Sequence, residues 1–332
     1  MRQLFLTSAA LSLTALGLAA CSSASAEVDE TPSLAGSAQV GAGGRIEVSD
    51  FIGTLIIETG RNKGYSSKSE PGAAVRDGLL DAPGAQALDN GIRIIGDEDV
   101  KIKNCSSSGG KHRIQLKGHE TRPLSDYPVV RITAPSDAVI DLGMRGGLAT
   151  IGDLDAAHVS INGCGDVELS DVTGELEVGI NGSGDLLSAN VGQLNASVKG
   201  SGDIVVGDVA GDAQLSIMGS GDIGTGTVNG SISASIRGSG DIRTGGGSGD
   251  LDVSIRGSGD VRIDGGEFED AKLSIAGSGD IKVNASVTDL NVDVAGSGDI
   301  RVIAATGKIH ASRRGSGDIV VNGKEWTEKG WK

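Results

Sequence analysis

Aromatic residues are almost missing: three Phe, two Tyr and two Trp among 332 residues. That excludes a core assembled around large rings. Proline is equally scarce, and none lies between Ser160 and Gly323, so hydrogen-bonded strands can run through that span unbroken. Cysteine is limited to Cys21, Cys105 and Cys164. Together with four His, these residues show no C-x2-C or H-x3-H spacing, which argues against a metal site. Positive charge is short, with 29 Lys+Arg against 44 Asp+Glu, net −15. That balance argues against a nucleic-acid partner, because affinity there comes from neutralising phosphates. Acidity otherwise speaks to solubility rather than fold.

Long apolar runs are absent but for one. Residues 4–20, LFLTSAALSLTALGLAA, follow Arg2 and precede a polar stretch. This reads as a secretory signal over 1–20, too short to be a membrane span, and no other stretch is long enough to span. The run ends in Leu18-Ala19-Ala20-Cys21, which resembles the lipobox of bacterial lipoproteins. That resemblance implies cleavage before Cys21 and lipidation of Cys21, with Ser22 rather than Asp behind it favouring the outer membrane. Lipid chains on one residue anchor a protein without spanning the bilayer. Residues 21–44 form a small-residue linker of the flexible type. Cys105 and Cys164 remain either as a disulfide, permitted outside the cytoplasm, or as two unbonded thiols. A bond closing that loop stabilises by about 4 kcal/mol in the chain-entropy model.

What the chain has in excess is glycine, 55 residues, more than twice the usual share of about 7%. Much of it sits in one recurring tetrapeptide, GSGD. Its aspartates are Asp166, Asp185, Asp203, Asp222, Asp241, Asp260, Asp280, Asp299 and Asp318, spaced 18 to 20 residues apart. The first copy reads GCGD, with Cys164 in the serine position. A catalytic motif is needed once; a motif at a fixed interval belongs to the architecture.

Aligned on that Asp, the repeat shows its columns. The next residue is always Val, Leu or Ile, from Val167 to Ile319. Five before it stand Ile161, Ile180, Val198, Ile217, Ile236, Ile255, Ile275 and Val294. Positions seven and nine before are apolar too, and those between are mostly polar. This period-two alternation marks strands with one buried face. Each unit is therefore strand, GSGD turn, strand, loop. One unit cannot bury its own apolar face, but stacked units can, which predicts an all-β parallel β-solenoid of about nine 19-residue coils. Right-handed winding follows from the crossover rule, and at roughly 4.8 Å per coil the rod is about 43 Å long. In the last unit Arg313 replaces the aliphatic residue, as expected of a terminal coil. Trp326 and Trp331 in the tail 323–332 are candidates to cover that end.

Glycine permits positive φ, while Ser and Asp bond backbone N–H groups in turns. The leading reading of GSGD is thus structural, with Asp241, Asp260, Asp280, Asp299 and Asp318 as turn-formers. Stacked carboxylates repel by roughly 1 kcal/mol per neighbouring pair in water. Two residues past the Asp, the later coils carry Arg243, Arg262, Lys282 and Arg301, and Arg237, Arg256 and Arg314 lie just before the turn. These bases are expected to offset the repulsion. Asp166, Asp185, Asp203 and Asp222 lack them, so either backbone donors suffice there or Ca²⁺ binds that part of the edge. Six before the Asp, Ser160, Ser197, Ser216, Ser235, Ser254, Ser274 and Ser312 should form a hydroxyl ladder on an outer face. That is either a plain exposed face or a flat surface for glycan. The glycan reading is weakened by the repeat holding Phe268 as its one aromatic.

Before the repeats, 45–145 is expected to be β-rich and to cap the start of the solenoid 146–322. RIEVSDFIGTLIIETG (45–60) alternates like a hairpin, IRIIGDEDVKIKNC and HRIQLKGHE are strand candidates, and GLLDAPGAQALD (78–89) reads as loop.

The lipobox, an N-terminal strand pair, YPVVRITAP at 127–135 and serial GINGSGD-type units together resemble the auto-transporter adhesin head GIN domain family. The resemblance runs over roughly 45–322. It implies a pectin-lyase-like β-helix with a role in adhesion and no established activity. The regular run of coils is longer than the family pattern, and Cys164 departs from it. The expected function is therefore a non-enzymatic, envelope-anchored adhesion or binding module. It would be a monomer without cofactor, tied to the membrane through its N-terminal lipid and meeting a glycan or protein surface. An enzyme acting on polysaccharide is the alternative, but it would need an acid–base cluster that breaks the repeat. A periplasmic scaffold is a third reading.

Overall fold

Alternation within each repeat decides which side chains face inward. Before one turn Ala271, Leu273 and Ile275 are buried while Lys272 stands outward; after it Ile281 and Val283 are buried. The structure, a computed structural model, describes residues 44–61, 63–108, 111–327 and 330–332. The leader 1–20, the lipidation candidate Cys21 and the linker through residue 43 lie outside the described residues. Apart from the helix Ala73–Arg76 and the 3-10 turn Leu124–Asp126, every regular element described is a strand.

Each coil pairs in parallel with the next. Ile236 lies beside Ile255, Ile255 beside Ile275 and Ile275 beside Val294. Past the turn, Ile242, Val261, Ile281 and Ile300 repeat the pattern. The result is a β-solenoid of about ten turns, one more than the nine aspartates suggest. One coil that no aspartate marks is Val139–Ile151, which pairs with Ala156–Leu169. Its Leu148 lies opposite Asp166 and its Gly147 opposite Gly165. The coil turns on its glycines without an Asp, so a count keyed to Asp passes over it.

The interior is a set of aliphatic ladders. In the column from Ile161 to Val294 no residue is more than 1% exposed. Burying each such side chain stabilises by about 1.5–3 kcal/mol. A third ladder runs through Leu154, Val172, Val191, Val209 and Val228. Further along the same wall come Phe268, Val287 and Ala305. Phe268 is in the core rather than on a ligand face, and its ring occupies the room left by Gly247. A Cβ at Gly247 would sit 2.9 Å from that ring.

At the start of the stack, Arg45–Thr59 is one strand and not the hairpin its alternation suggests. It forms another rung, parallel to Val139–Ile151, with register shifts between Val48 and Ile52. Asp50 at φ 52° and Gly53 at φ 146° bend the strand round a corner of the solenoid, so the chain continues instead of folding back. Gly91–Ile95 and Val129–Ala134 lie on it as the next rung. Gly84–Leu88 and Ser66–Glu70 then pair antiparallel to those two. The first of these falls in the stretch read as loop. GAQAL has weak strand preference of its own, and the ladder of its neighbour makes it a strand.

At the other end, Lys324–Thr327 pairs antiparallel with Ile319–Val321, and Gly330–Trp331 pairs with it. Trp326 and Trp331 pack against the core. Arg313 lies 5.9 Å from the Trp326 ring centroid and donates to the Gly317 carbonyl at 3.1 Å. The charge in the aliphatic column is thereby accommodated.

A three-stranded antiparallel sheet, Ile102–Ser108, Lys111–Leu116 and Thr121–Pro123, stands beside the first coils. It has a small core of its own that includes Ile52, Leu80, Ile114, Leu116 and Tyr127. The Tyr127 hydroxyl donates to the Ile114 carbonyl at 3.1 Å, and burial pushes its pKa up to about 12.

Candidate functional site: the glycine–aspartate edge

All nine GxGD turns stack on one edge of the solenoid. The first glycine of each is at positive φ, from 139° at Gly200 to 156° at Gly277, a region that disfavours side chains. The second reason for glycine is close approach between coils. A Cβ at Gly257 would meet the Gly238 carbonyl oxygen at 2.0 Å, and one at Gly259 would meet that of Gly240 at 2.0 Å. Both glycines are thus required by the stacking itself.

The aspartates form a continuous hydrogen-bonded ladder. The Asp185 N–H donates to Asp166 Oδ1 at 3.1 Å, Asp203 N–H to Asp185 at 2.9 Å, and Asp222 N–H to Asp203 at 2.9 Å. The series continues through Asp241, Asp260, Asp280, Asp299 and Asp318, closing at 2.7 Å between Asp318 N–H and Asp299 Oδ1. Each carboxylate from Asp166 to Asp299 therefore meets a backbone dipole from the following coil, and this offsets the repulsion between neighbours. The early coils, which have no Arg or Lys two residues past the Asp, use the same device as the late ones.

The basic residues do something else. Arg262 Nε lies 2.6 Å and Arg243 Nε 4.0 Å from Asp264, and Arg314 lies 3.2 Å from Asp293. None of these carboxylates belongs to a turn; among the described residues the turn carboxylates within ion-pair reach of a basic side chain are Asp318, 3.6 Å from Arg313, and Asp166, beside His112. The expected pairing of Arg243, Arg262, Lys282 and Arg301 with the turn aspartates is corrected accordingly. Those side chains point outward from a strand, whereas the turn carboxylates run along the stack.

Burial raises the pKa of Asp166, Asp185 and Asp260 above the ordinary aspartate value, against the opposing pull of the N–H each accepts. At Asp166 the nearby His112, 3.4 Å from its carboxylate, also works to lower it. Among the described residues no group of three or more His, Cys, Asp or Glu is arranged to hold a metal ion. That includes the calcium candidates Asp166, Asp185, Asp203 and Asp222.

The first turn is where the three-stranded sheet is fastened. Cys105 and Cys164 form a disulfide with Cα atoms 6.1 Å apart, 59 residues apart in sequence. Arg145 donates to the carbonyls of Asp97 and Glu98 at 3.0 Å each, and to that of Val100. Sequence spacing gives no hint of Arg145 as a tie.

The outer face before the turn carries the serine ladder. Ser197, Ser216, Ser235, Ser254 and Ser274 are in register. Gly179 and Asp293 separate them from Ser160 and Ser312. Beside it run two adjoining shallow depressions of about 390 and 380 Å³, which share Asp250 and Asp252.

A comparison with curated proteins finds no match. Among solved structures, the chain is similar to a "putative adhesin" of Parabacteroides distasonis at 17% identity, covering 84% of this chain and 92% of that one, TM-score 0.39. A "putative adhesin" of Parabacteroides merdae gives 15% identity, 84% and 92% coverage, and TM-score 0.36. A "putative lipid binding protein" of Parabacteroides distasonis gives 16%, 85%, 93% and 0.34. The family model described as "Putative auto-transporter adhesin, head GIN domain" matches residues 85–248, 211–302 and 248–324. With matches that together run from 85 to 324, over glycine–aspartate turns that repeat coil after coil, the chain belongs to the auto-transporter adhesin head GIN domain family.

Proposed function

We propose that this protein is a non-enzymatic binding module of the cell envelope, tethered to the outer membrane by lipid on Cys21 and presenting the solenoid as its adhesive part. The observation that carries the reading is the equivalence of the turns. From Asp166 to Asp299 every carboxylate is engaged in the same way, by the N–H of the next coil. Acid–base hydrolysis needs two groups whose surroundings drive their protonation apart, and a uniform ladder works against that. Membership of an adhesin-head family and a rod with long regular faces both favour contact with an extended partner.

The test is protease treatment of intact cells, with a blot for this protein against a periplasmic control. Cleavage while the control survives is expected. Survival until the outer membrane is opened would end the adhesive reading and favour a periplasmic scaffold. The tether is tested by incorporation of labelled palmitate, which Cys21→Ser should abolish.

A further inference from the structure

The chain as a whole is acidic, with a net charge of −15. One outward column is the opposite. Arg243, Arg262, Lys282 and Arg301 lie side by side in four successive coils, each in register with the next. At about 4.8 Å per rung, the four cations form a single file roughly 14 Å long. Among the described residues Asp264 is the one carboxylate that pairs with them, taking Arg262 and Arg243. Lys282 and Arg301 have no ion pair among the described residues. The bases are not consumed by the turn ladder, whose carboxylates are already served by backbone N–H groups.

We infer that this column is a binding line for an acidic polysaccharide, a linear sugar chain carrying carboxylates such as a polyuronate; the inference rests on the binding-module reading. The flanks narrow the choice. On one side stand Asp241, Asp260, Asp280 and Asp299, so a broad anionic surface such as a bilayer would press like charges together. Bilayer docking also calls for an apolar face beside the bases, and the large apolar side chain exposed here is Ile303. A nucleic-acid duplex, with one negative charge per about 1.7 Å of its axis, would press its phosphates against the same aspartates. A slender polymer with spaced carboxylates can follow the file and avoid the aspartates. Neutral sugars usually stack on aromatic rings, and the ring in these coils, Phe268, is buried, so recognition here falls to charge.

The experiment uses the full chain carrying Cys21→Ser, so that no lipid contributes to vesicle binding. Probes are polygalacturonate, its fully methyl-esterified form, single-stranded DNA and phosphatidylglycerol vesicles. The chain should bind polygalacturonate in a salt-sensitive manner and the other three far less. K282E/R301E should weaken that binding roughly tenfold, as expected for two lost surface ion contacts made repulsive. K199E/K308E, of equal charge change elsewhere, should leave it within about twofold on the same scale, and both variants should melt like the parent. Equal binding of the esterified polymer, tighter binding of DNA or vesicles, or an unaffected K282E/R301E would overturn the assignment. If polygalacturonate fails but the chain is retained on an array of neutral glycans and matrix proteins, this inference falls and the binding-module reading stands. If the array also retains nothing, both fall.

Discussion

At the scale of single residues, each GSGD position has its own physical task. Oδ1 of Asp241 accepts the Asp260 N–H at 2.8 Å. Asp241→Ala leaves that donor without its partner and should cost about 1–2 kcal/mol, whereas Asp241→Asn keeps the acceptor oxygen and should cost less than half as much. Denaturant unfolding of the pair checks this, and equal losses would count against the ladder. Gly257 is at φ 148°, with a carbonyl where its Cβ would go. Gly257→Ala should therefore destabilise by about 3 kcal/mol or more, through backbone strain and displaced coils together. Proton linkage adds a third expectation. Asp166, Asp185 and Asp260 have folded pKa values above the ordinary one, so the folded chain binds these protons more tightly than the unfolded chain. Their contribution to stability is lost as pH rises through the folded values. It is regained as pH falls, and is complete below the unfolded value of about 4. The melting temperature of the parent should accordingly rise relative to Asp185→Asn between pH 7 and pH 4. A relative fall would reverse the sign and refute the assignment.

Among elements, the three-stranded sheet depends on its ties more than on its size. Its core is small; it is joined to the first turn by Cys105–Cys164, and the segment 97–100 that leads into it is held by Arg145. Replacing both cysteines by alanine should cost up to about 4 kcal/mol through loop-closure entropy. The loss should be local, read as faster proteolysis within 102–123 while the coils stay protected. Uniform loss of protection would mean that the sheet and the solenoid unfold as one. The strand Arg45–Thr59 carries the related lesson about legibility. Its alternation identifies a strand but not a partner, and a hairpin and a solenoid rung write the same pattern. Only the neighbour Val139–Ile151, about ninety residues on in sequence, separates them.

On the scale of the whole molecule, a solenoid is an open stack, and its ends are sheet edges that invite pairing. The hairpin Lys324–Thr327 with Gly330–Trp331, and Arg313 over Trp326, cover one end. Deleting residues 323–332 should leave the inner coils folded but promote end-to-end association, seen as larger species by light scattering during size-exclusion chromatography. A strictly monomeric deletion variant would show that the last coil resists pairing unaided.

The coils were legible in the sequence because they are local and repeated. A fixed period, an aliphatic residue after every Asp and two glycines per turn specify strand, corner and interior without knowledge of distant contacts. The coil Val139–Ile151 carries no such marker, since Leu148 stands where the Asp would, although its glycines keep the turn. The use of the bases was also hidden. Sequence places Arg243, Arg262, Lys282 and Arg301 near acidic turns, but the side on which a side chain leaves the strand decides whether they meet. The choice between bonded and unbonded Cys105 and Cys164 was likewise beyond spacing. By itself, then, the sequence determined the repeating unit and its stacking, since period-two alternation with glycine corners has one economical way to bury its apolar face. Tertiary structure alone decided where the stack begins, which carboxylate each N–H serves, and which cations stay free, because these depend on contacts between coils and across insertions that no local pattern encodes.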